Sequence, residues 1–344
     1  MGILNIPDNF LKMPEFLKKK MPAPPKLNIC MMGPRSVGKT TVLTSIFFET
    51  QENICGSKLY MTSMDANTSN LINYHTMLVD AVAKGNASNL PASNTESNFN
   101  FGIGMKGQDP TLLLNVQDFP GEYLISNPEE VNRYVAGATV ILIAIDTPYL
   151  MEEKGKYNLQ KNKVDVVTGY LKNNQELIRD KMVLFVPLKC ELYMHNGCID
   201  EVSTKVKESY SELISFFEQN NIASFVTPIL TLGGLEFDRM VDNNTGIGDV
   251  EKLAVYKPYT KAQKYAPAFC SQPLYYLLAY TSNFHEWQKK NKKAGFLRGV
   301  LDSLNAYFMK DSEFYEEVRK MSRFILYGKN GYLPLTTNTI IKIN

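Results

Sequence analysis

The sequence predicts a three-layer α/β fold, a mainly parallel sheet covered by helices on both faces. Two observations carry this. Short continuous apolar runs of strand length recur at 27–32, 111–117, 138–145, 182–187 and 225–230, with helix-patterned or polar stretches between them. The first run, Leu27 to Met32, leads directly into a glycine-rich loop, Gly33-Pro34-Arg35-Ser36-Val37-Gly38-Lys39-Thr40. Behind that loop Val42, Leu43, Ile46 and Phe47 stand at helical spacing. Alternation of strands and helices builds crossovers that place helices on both sides of a parallel sheet.

The loop fits G-x-x-x-x-G-K-[ST] in full, and strand, loop and helix is the context in which that pattern is a phosphate site. Gly33 and Gly38 let the backbone bend so that successive N–H groups point at one anion. The following helix adds unpaired N–H groups and the positive end of its dipole. Gly33, Ser36, Val37, Gly38, Lys39, Thr40 and Thr41 are therefore the candidate phosphate-binding residues. Lys39 is placed to reach the β- and γ-phosphates, and the Thr40 hydroxyl to ligate Mg2+.

The run Thr111–Gln117 ends in Asp118-Phe119-Pro120-Gly121-Glu122, which resembles the D-x-x-G switch of Ras-like GTPases. The resemblance implies that Asp118 holds magnesium through water and that the Gly121 N–H meets the γ-phosphate. Upstream, a stretch rich in Asn and Ser (86–98) precedes the alternating Phe99, Phe101, Ile103 and Met105 of an amphipathic strand. In a GTPase that stretch is the other switch; Thr95 is its candidate metal ligand, with Ser93 and Ser97 as rivals. The strand-like 182–187 run leads into Leu188-Lys189-Cys190-Glu191, where GTPases place [NT]-K-x-D. Lys189 is present, Glu191 replaces the Asp that accepts hydrogen bonds from guanine, and Leu188 replaces the Asn or Thr. Adenine offers no matching pair of donors on that edge, so a carboxylate there disfavours ATP. After 225–230, Gly233 and Gly234 either bring backbone N–H groups to the base or make a turn.

Taken together, ICMMGPRSVGKTTVLTSI, VQDFPGEYL, IDTPYLMEEKGKYN, FVPLKCE and TPILTLGGLEF resemble the bacterial double-GTPase family, a branch of the Ras-like, translation-factor-related P-loop GTPases. The resemblance runs from about Lys26 to Tyr280. It implies a G-domain sandwich that binds GTP and Mg2+ and acts as a molecular switch in a bacterial conflict or signalling system. Its partners would be proteins encoded nearby, among them a second GTPase; a single P-loop is present here, so that GTPase would be a separate chain. Where Ras-like enzymes carry a water-orienting Gln, this sequence has Glu122, which cannot donate as an amide does and predicts slow hydrolysis. Arg35 and Arg133 are the local candidates for an arginine finger. Two other readings stay open: a nucleotide-dependent scaffold with negligible turnover, and an ATPase.

Composition narrows the field further. The chain has 344 residues, 37 Lys+Arg against 35 Asp+Glu, and a formal charge of +2, which gives no support to a nucleic-acid backbone as main partner. Five scattered cysteines without a CxxC pair, and three distant histidines, predict neither a disulfide framework nor a zinc site. The N-terminus lacks the pattern of a signal peptide, Ile6 stands where a myristoylation signal needs Ser or Thr, and the apolar run 138–145 is too short to span a bilayer. A soluble cytoplasmic protein is expected. Residues 1–25, with five prolines and a Lys18–Lys20 run, read as an arm or linker. The GTPase domain is expected over 26–291 with an insertion at 235–271, then a helical extension over 292–344. Within the domain, helices are expected at 69–83, 164–178, 202–219 and 273–288.

Overall fold

The computed structural model describes residues 24–51, 54–85, 96–244, 250–259, 264–291 and 311–337. Residues 1–23 of the expected arm, the switch candidates Ser93 and Thr95, and residues 292–310 and 338–344 of the expected C-terminal extension lie outside them. An eight-stranded sheet organises the chain, in the order β2-β3-β4-β1-β5-β6-β7-β10. Its central strands are β4 (Leu112–Asp118), β1 (Lys26–Met32), β5 (Val140–Asp146), β6 (Met182–Leu188) and β7 (Ala223–Val226). All of these run parallel. At one side β3 (Ser97–Met105) is antiparallel to β4, and β2 (Leu59–Ser63) antiparallel to β3. At the other, β10 (Leu333–Pro334) is antiparallel to β7.

The apolar runs are continuous because parallel strands are buried on both faces. Every residue of β5 and β6 is buried. Alternate side chains then feed two cores. Ile29, Met31, Leu142, Ala144 and Leu184 join Val42, Leu43, Ile46 and Phe47 of α1 (Lys39–Thr50) and Leu274–Tyr280 of α7 (Gln272–Asn291). Cys30, Met32, Ile141, Ile143 and Phe185 face α3 (Pro128–Gly137), α4 (Val164–Asn173), α5 (Ile199–Ser209) and α6 (Ser211–Gln219). A further helix, α2 (Leu71–Ala83), precedes β3. This is the three-layer P-loop G-domain sandwich that the sequence predicts. Among the described residues, no helix is long and apolar enough to cross a membrane.

Several boundaries differ from the sequence reading for identifiable reasons. The helix expected over 202–219 breaks at Tyr210, whose ring is 1% exposed and packs edge-on against Phe185 at 5.1 Å. The helix expected over 164–178 breaks at Asn174, whose side-chain amide donates to the Tyr170 carbonyl at 2.8 Å and so competes with the backbone. Within the 235–271 segment, β8 (Leu235–Asp242) pairs antiparallel with β9 (Lys252–Pro258). The C-terminal segment is not wholly helical. Helix α8 (Ser312–Lys320) buries Phe314 and Val318, but β10 then adds an edge strand, helped by the Tyr332 hydroxyl donating to the Pro228 carbonyl at 2.5 Å.

Candidate functional site

Strands β1, β4, β5 and β6 end at one edge of the sheet, and the candidate residues collect there, as ligands do in open α/β sheets. The glycine-rich loop is held from below by Val37, which is fully buried in the core. Its shape needs its glycines. Gly33 sits at φ +151°, where a Cβ would lie 2.8 Å from the Ala144 carbonyl oxygen, and Gly38 at φ +112° caps α1. Lys39 is 7% exposed and folds back across the loop, donating to the carbonyls of Gly33 at 3.0 Å and Pro34 at 3.4 Å.

Asp118, the last residue of β4, faces this lysine. Its carboxylate is 2% exposed, neither oxygen has a hydrogen-bond partner, and the Lys39 ammonium stands 3.4 Å away. Burial therefore raises its pKa above the ordinary aspartate value, and Lys39 offsets only part of that. Two unsatisfied hard oxygens next to the phosphate loop suit Mg2+, which binds through one or two carboxylates together with phosphate oxygens. Among the described residues there is no cluster of three or more His, Cys, Asp or Glu side chains to make an all-protein metal cage. Gly121 presses on the phosphate loop, since a Cβ there would meet the Gly33 oxygen at 2.7 Å. Ser97, at the start of β3, is in register with Asp118. The switch-like stretch therefore enters the sheet directly beside that carboxylate.

At the far end of the same edge, Lys189 stands at φ +64°. Its ammonium donates to the Ser36 carbonyl at 3.0 Å and to Asp146 Oδ2 at 2.7 Å, and so ties the β6 loop to the phosphate loop. Asp146 is fully buried, and its Oδ1 has no partner. Glu191 is 2% exposed, and one oxygen, Oε1, accepts from the Leu232 N–H at 2.7 Å, the Gly233 N–H at 3.2 Å and the Thr231 hydroxyl at 3.3 Å. The Gly233 N–H is thus spent inside the protein. Gly233 itself makes a turn at φ +71° pressed against Ala266, and a Cβ there would fall 1.9 Å from that residue's carbonyl oxygen. Gly233→Ala is expected to destabilise the fold by about 3 kcal/mol or more, through left-handed strain and backbone clash. Denaturant unfolding checks this; an unchanged midpoint would mean that the loop is not packed in this way.

A cavity of about 710 Å³ joins the two ends. Arg35, Ser36, Val37, Gly38, Lys39, Thr40 and Thr41 line it with Asp118, Lys189 and Glu191. The β8–β9 hairpin roofs it with Leu235, Val241 and Leu253–Tyr256, a volume and an apolar lining typical of small-molecule sites. Gly33, Gly121, Glu122, Arg133 and Gly233, all sequence candidates, stand apart from that lining. Gly33 and Gly121 shape its floor from behind, and the Glu122 side chain is exposed to solvent. Arg133 pairs with Glu130 on its own helix. Thr95 lies outside the described residues.

The sequence reading missed Asp146, Tyr149, Lys161 and Tyr256, all of which line the cavity. Asp146 alone carried a signal, a carboxylate closing the most apolar strand of the chain. The others come from polar or alternating stretches with no motif. Tyr149 anchors the roof, its hydroxyl donating to the Lys252 carbonyl at 2.9 Å and accepting from the Ala254 N–H at 3.3 Å.

No protein family and no curated protein matches this chain. Among solved structures it is similar to the LeoA bacterial dynamin GTPase from ETEC, with 14% identity and a TM-score of 0.33 over 60% of this chain and 30% of that one. It is similar also to the S. cerevisiae Ski7 GTPase-like domain bound to GTP, with 16% identity and a TM-score of 0.36 over 64% of this chain and 45% of that one. The chain spans less than half the length of either. Neither neighbour singles out the double-GTPase branch. The fold assignment stands on this chain's own strand order and phosphate loop.

Proposed function

We propose that the protein binds GTP with Mg2+ and hydrolyses it slowly, as a switch read by a protein partner. The observation that carries this reading is one cavity running from the phosphate loop and Asp118 to the Lys189–Glu191 end, which would take a triphosphate at one end and a base at the other. Thr40 and Asp118 would hold Mg2+, which supplies charge neutralisation on the β- and γ-phosphates. Lys39 exchanges its loop carbonyls for phosphate oxygens. The Asp118–Glu122 turn, in backbone contact with Gly33, carries the occupancy of the loop to the surface at Glu122.

Glu191 supports guanine over adenine: its Oε1 is spent on Leu232, Gly233 and Thr231, and its Oε2 is left to accept the N–H groups that only guanine offers on that edge. An exposed Glu122 in place of a water-orienting amide supports a low intrinsic rate. The test is calorimetric titration with non-hydrolysable GTP and ATP analogues in Mg2+. Tighter GTP binding, by at least about tenfold (about 1.4 kcal/mol), is expected, with the preference lost in Glu191→Ala. Equal binding, or a preference for ATP, would remove the guanine assignment and leave only the phosphate site.

A further inference from the structure

Phosphoryl transfer to water is accelerated by cations placed on the phosphate oxygens, and among the described residues Arg35, at the rim, is the one arginine that lines the cavity. Lys161 is a different matter. It belongs to a short helical turn, Asn158–Asn162, in the connection between β5 and β6. That turn is bolted to the end of β5. Asn162 accepts from the Asp146 N–H at 2.8 Å and donates to the Asp146 carbonyl at 3.2 Å and to Asn158 Oδ1 at 2.8 Å, and both asparagines are buried. From this support the Lys161 ammonium reaches the outer side of the phosphate loop. It donates to the Arg35 carbonyl at 3.0 Å, stands 5.3 Å from the centre of the Tyr149 ring and lines the same cavity as Lys39.

The surroundings favour an anion at this ammonium. Lys39 and Lys189 have carboxylate partners in Asp118 and Asp146, at 3.4 and 2.7 Å, whereas Lys161 rests on a carbonyl and a ring. Burial lowers its pKa to about 8; Asp146 and, more weakly, Glu122 counteract this, and the neighbouring charges of Lys189 and Lys39 add to it. An ammonium held beside two other cations is stabilised when a polyphosphate arrives. Only one of its three N–H bonds is engaged by Arg35.

We infer that Lys161 is a cationic finger supplied in cis, a catalytic group that contacts the phosphates of the bound nucleotide and stabilises the charge that develops as the γ-phosphoryl group leaves. The inference rests on the GTPase reading above. In the step it serves, a water oxygen bonds to the γ-phosphorus while the bond from that phosphorus to the β–γ bridging oxygen breaks. The electron pair stays on the departing GDP, and the water proton passes to the released phosphate. Lys161 transfers nothing; it neutralises.

The test compares wild type with Lys161→Ala, Lys161→Gln and Lys161→Arg, measuring single-turnover GTP hydrolysis and affinity for GDP and a non-hydrolysable GTP analogue in Mg2+. A transition-state role predicts that Ala and Gln lower the rate by about 10²- to 10³-fold with GDP affinity kept within about threefold, and that Arg restores most of the rate. Gln preserves the length of the side chain, so it reports even if Ala loosens the 158–162 turn. Rates within threefold of wild type in Gln or Ala would overturn the inference. So would a proportional loss of rate and analogue affinity, which marks uniform binding. Wild-type protein that binds GTP and never turns it over overturns the finger but leaves the binding reading intact. Protein that binds no GTP ends both.

Discussion

Lys39→Ala is expected to weaken Mg-dependent binding of a GTP analogue at least about 100-fold, roughly 2.7 kcal/mol. Lys39 belongs to the phosphate loop and already spans it, with the Gly33 carbonyl at 3.0 Å. Two or more charge-assisted hydrogen bonds to phosphate are each worth about 1.5–3 kcal/mol, so the loss falls in that range even after partial compensation. A second effect acts in the same direction. Without the ammonium at 3.4 Å, the buried Asp118 carboxylate faces the incoming phosphates unopposed. The helix behind the loop is expected to survive, because Val42, Leu43, Ile46 and Phe47 keep their places in the core. Calorimetric titration decides the matter, and unchanged affinity in a folded variant would remove the phosphate-site assignment itself.

Asp118→Asn is expected to do two opposite things: stabilise the nucleotide-free protein and abolish the magnesium dependence of nucleotide binding. The carboxylate is buried without a hydrogen-bond partner, so its charge is a standing cost to the fold. The sign follows from linkage. The native pKa is raised. As pH rises from the ordinary aspartate value through the raised one, the unfolded chain loses its proton first, so this residue's contribution to stability falls across that window and stays low above it. A neutral amide escapes the penalty, and Lys39 keeps the Gly33 and Pro34 carbonyls. A gain of about 1 kcal/mol, seen as a rise of about 2 °C in Tm, is expected in metal-free buffer at neutral pH. The amide offers no charge to a divalent cation, so adding Mg2+ should no longer tighten GTP binding. A less stable variant, or one in which Mg2+ still strengthens binding by the wild-type factor, would show that Asp118 is a structural carboxylate.

Both predictions concern a site built for an anion and a cation that the protein stabilises poorly alone. Lys39, Asp118, Asp146 and Lys161 are each buried or half-buried charges, and their mutual pairing is incomplete. Sites that sacrifice native-state stability in this way are where function is found.

What the sequence determined by itself is everything encoded by backbone chemistry and short-range pattern. The phosphate loop was legible because glycine positions and the Lys-Thr pair are contiguous, and no tertiary contact is needed to recognise them. The layer architecture was legible because strands buried on both faces must be apolar without interruption, as 138–145 and 182–187 are. Asp118 was legible because it opens a D-x-x-G, directly after a strand-like run, that resembles the switch of Ras-like GTPases.

Long-range packing selected the polar side chains from remote segments that share the cavity. Lys161 comes from an asparagine-pinned turn and Tyr256 from a hairpin with ordinary alternation, and neither has a local signature. It also decided that Gly233 makes a turn whose N–H is taken by Glu191, a choice the Gly-Gly pair left open. The physical reason is the same in each case. A motif records constraints between neighbours along the chain, whereas the partners of a buried charge are fixed by packing between strands and loops tens of residues apart.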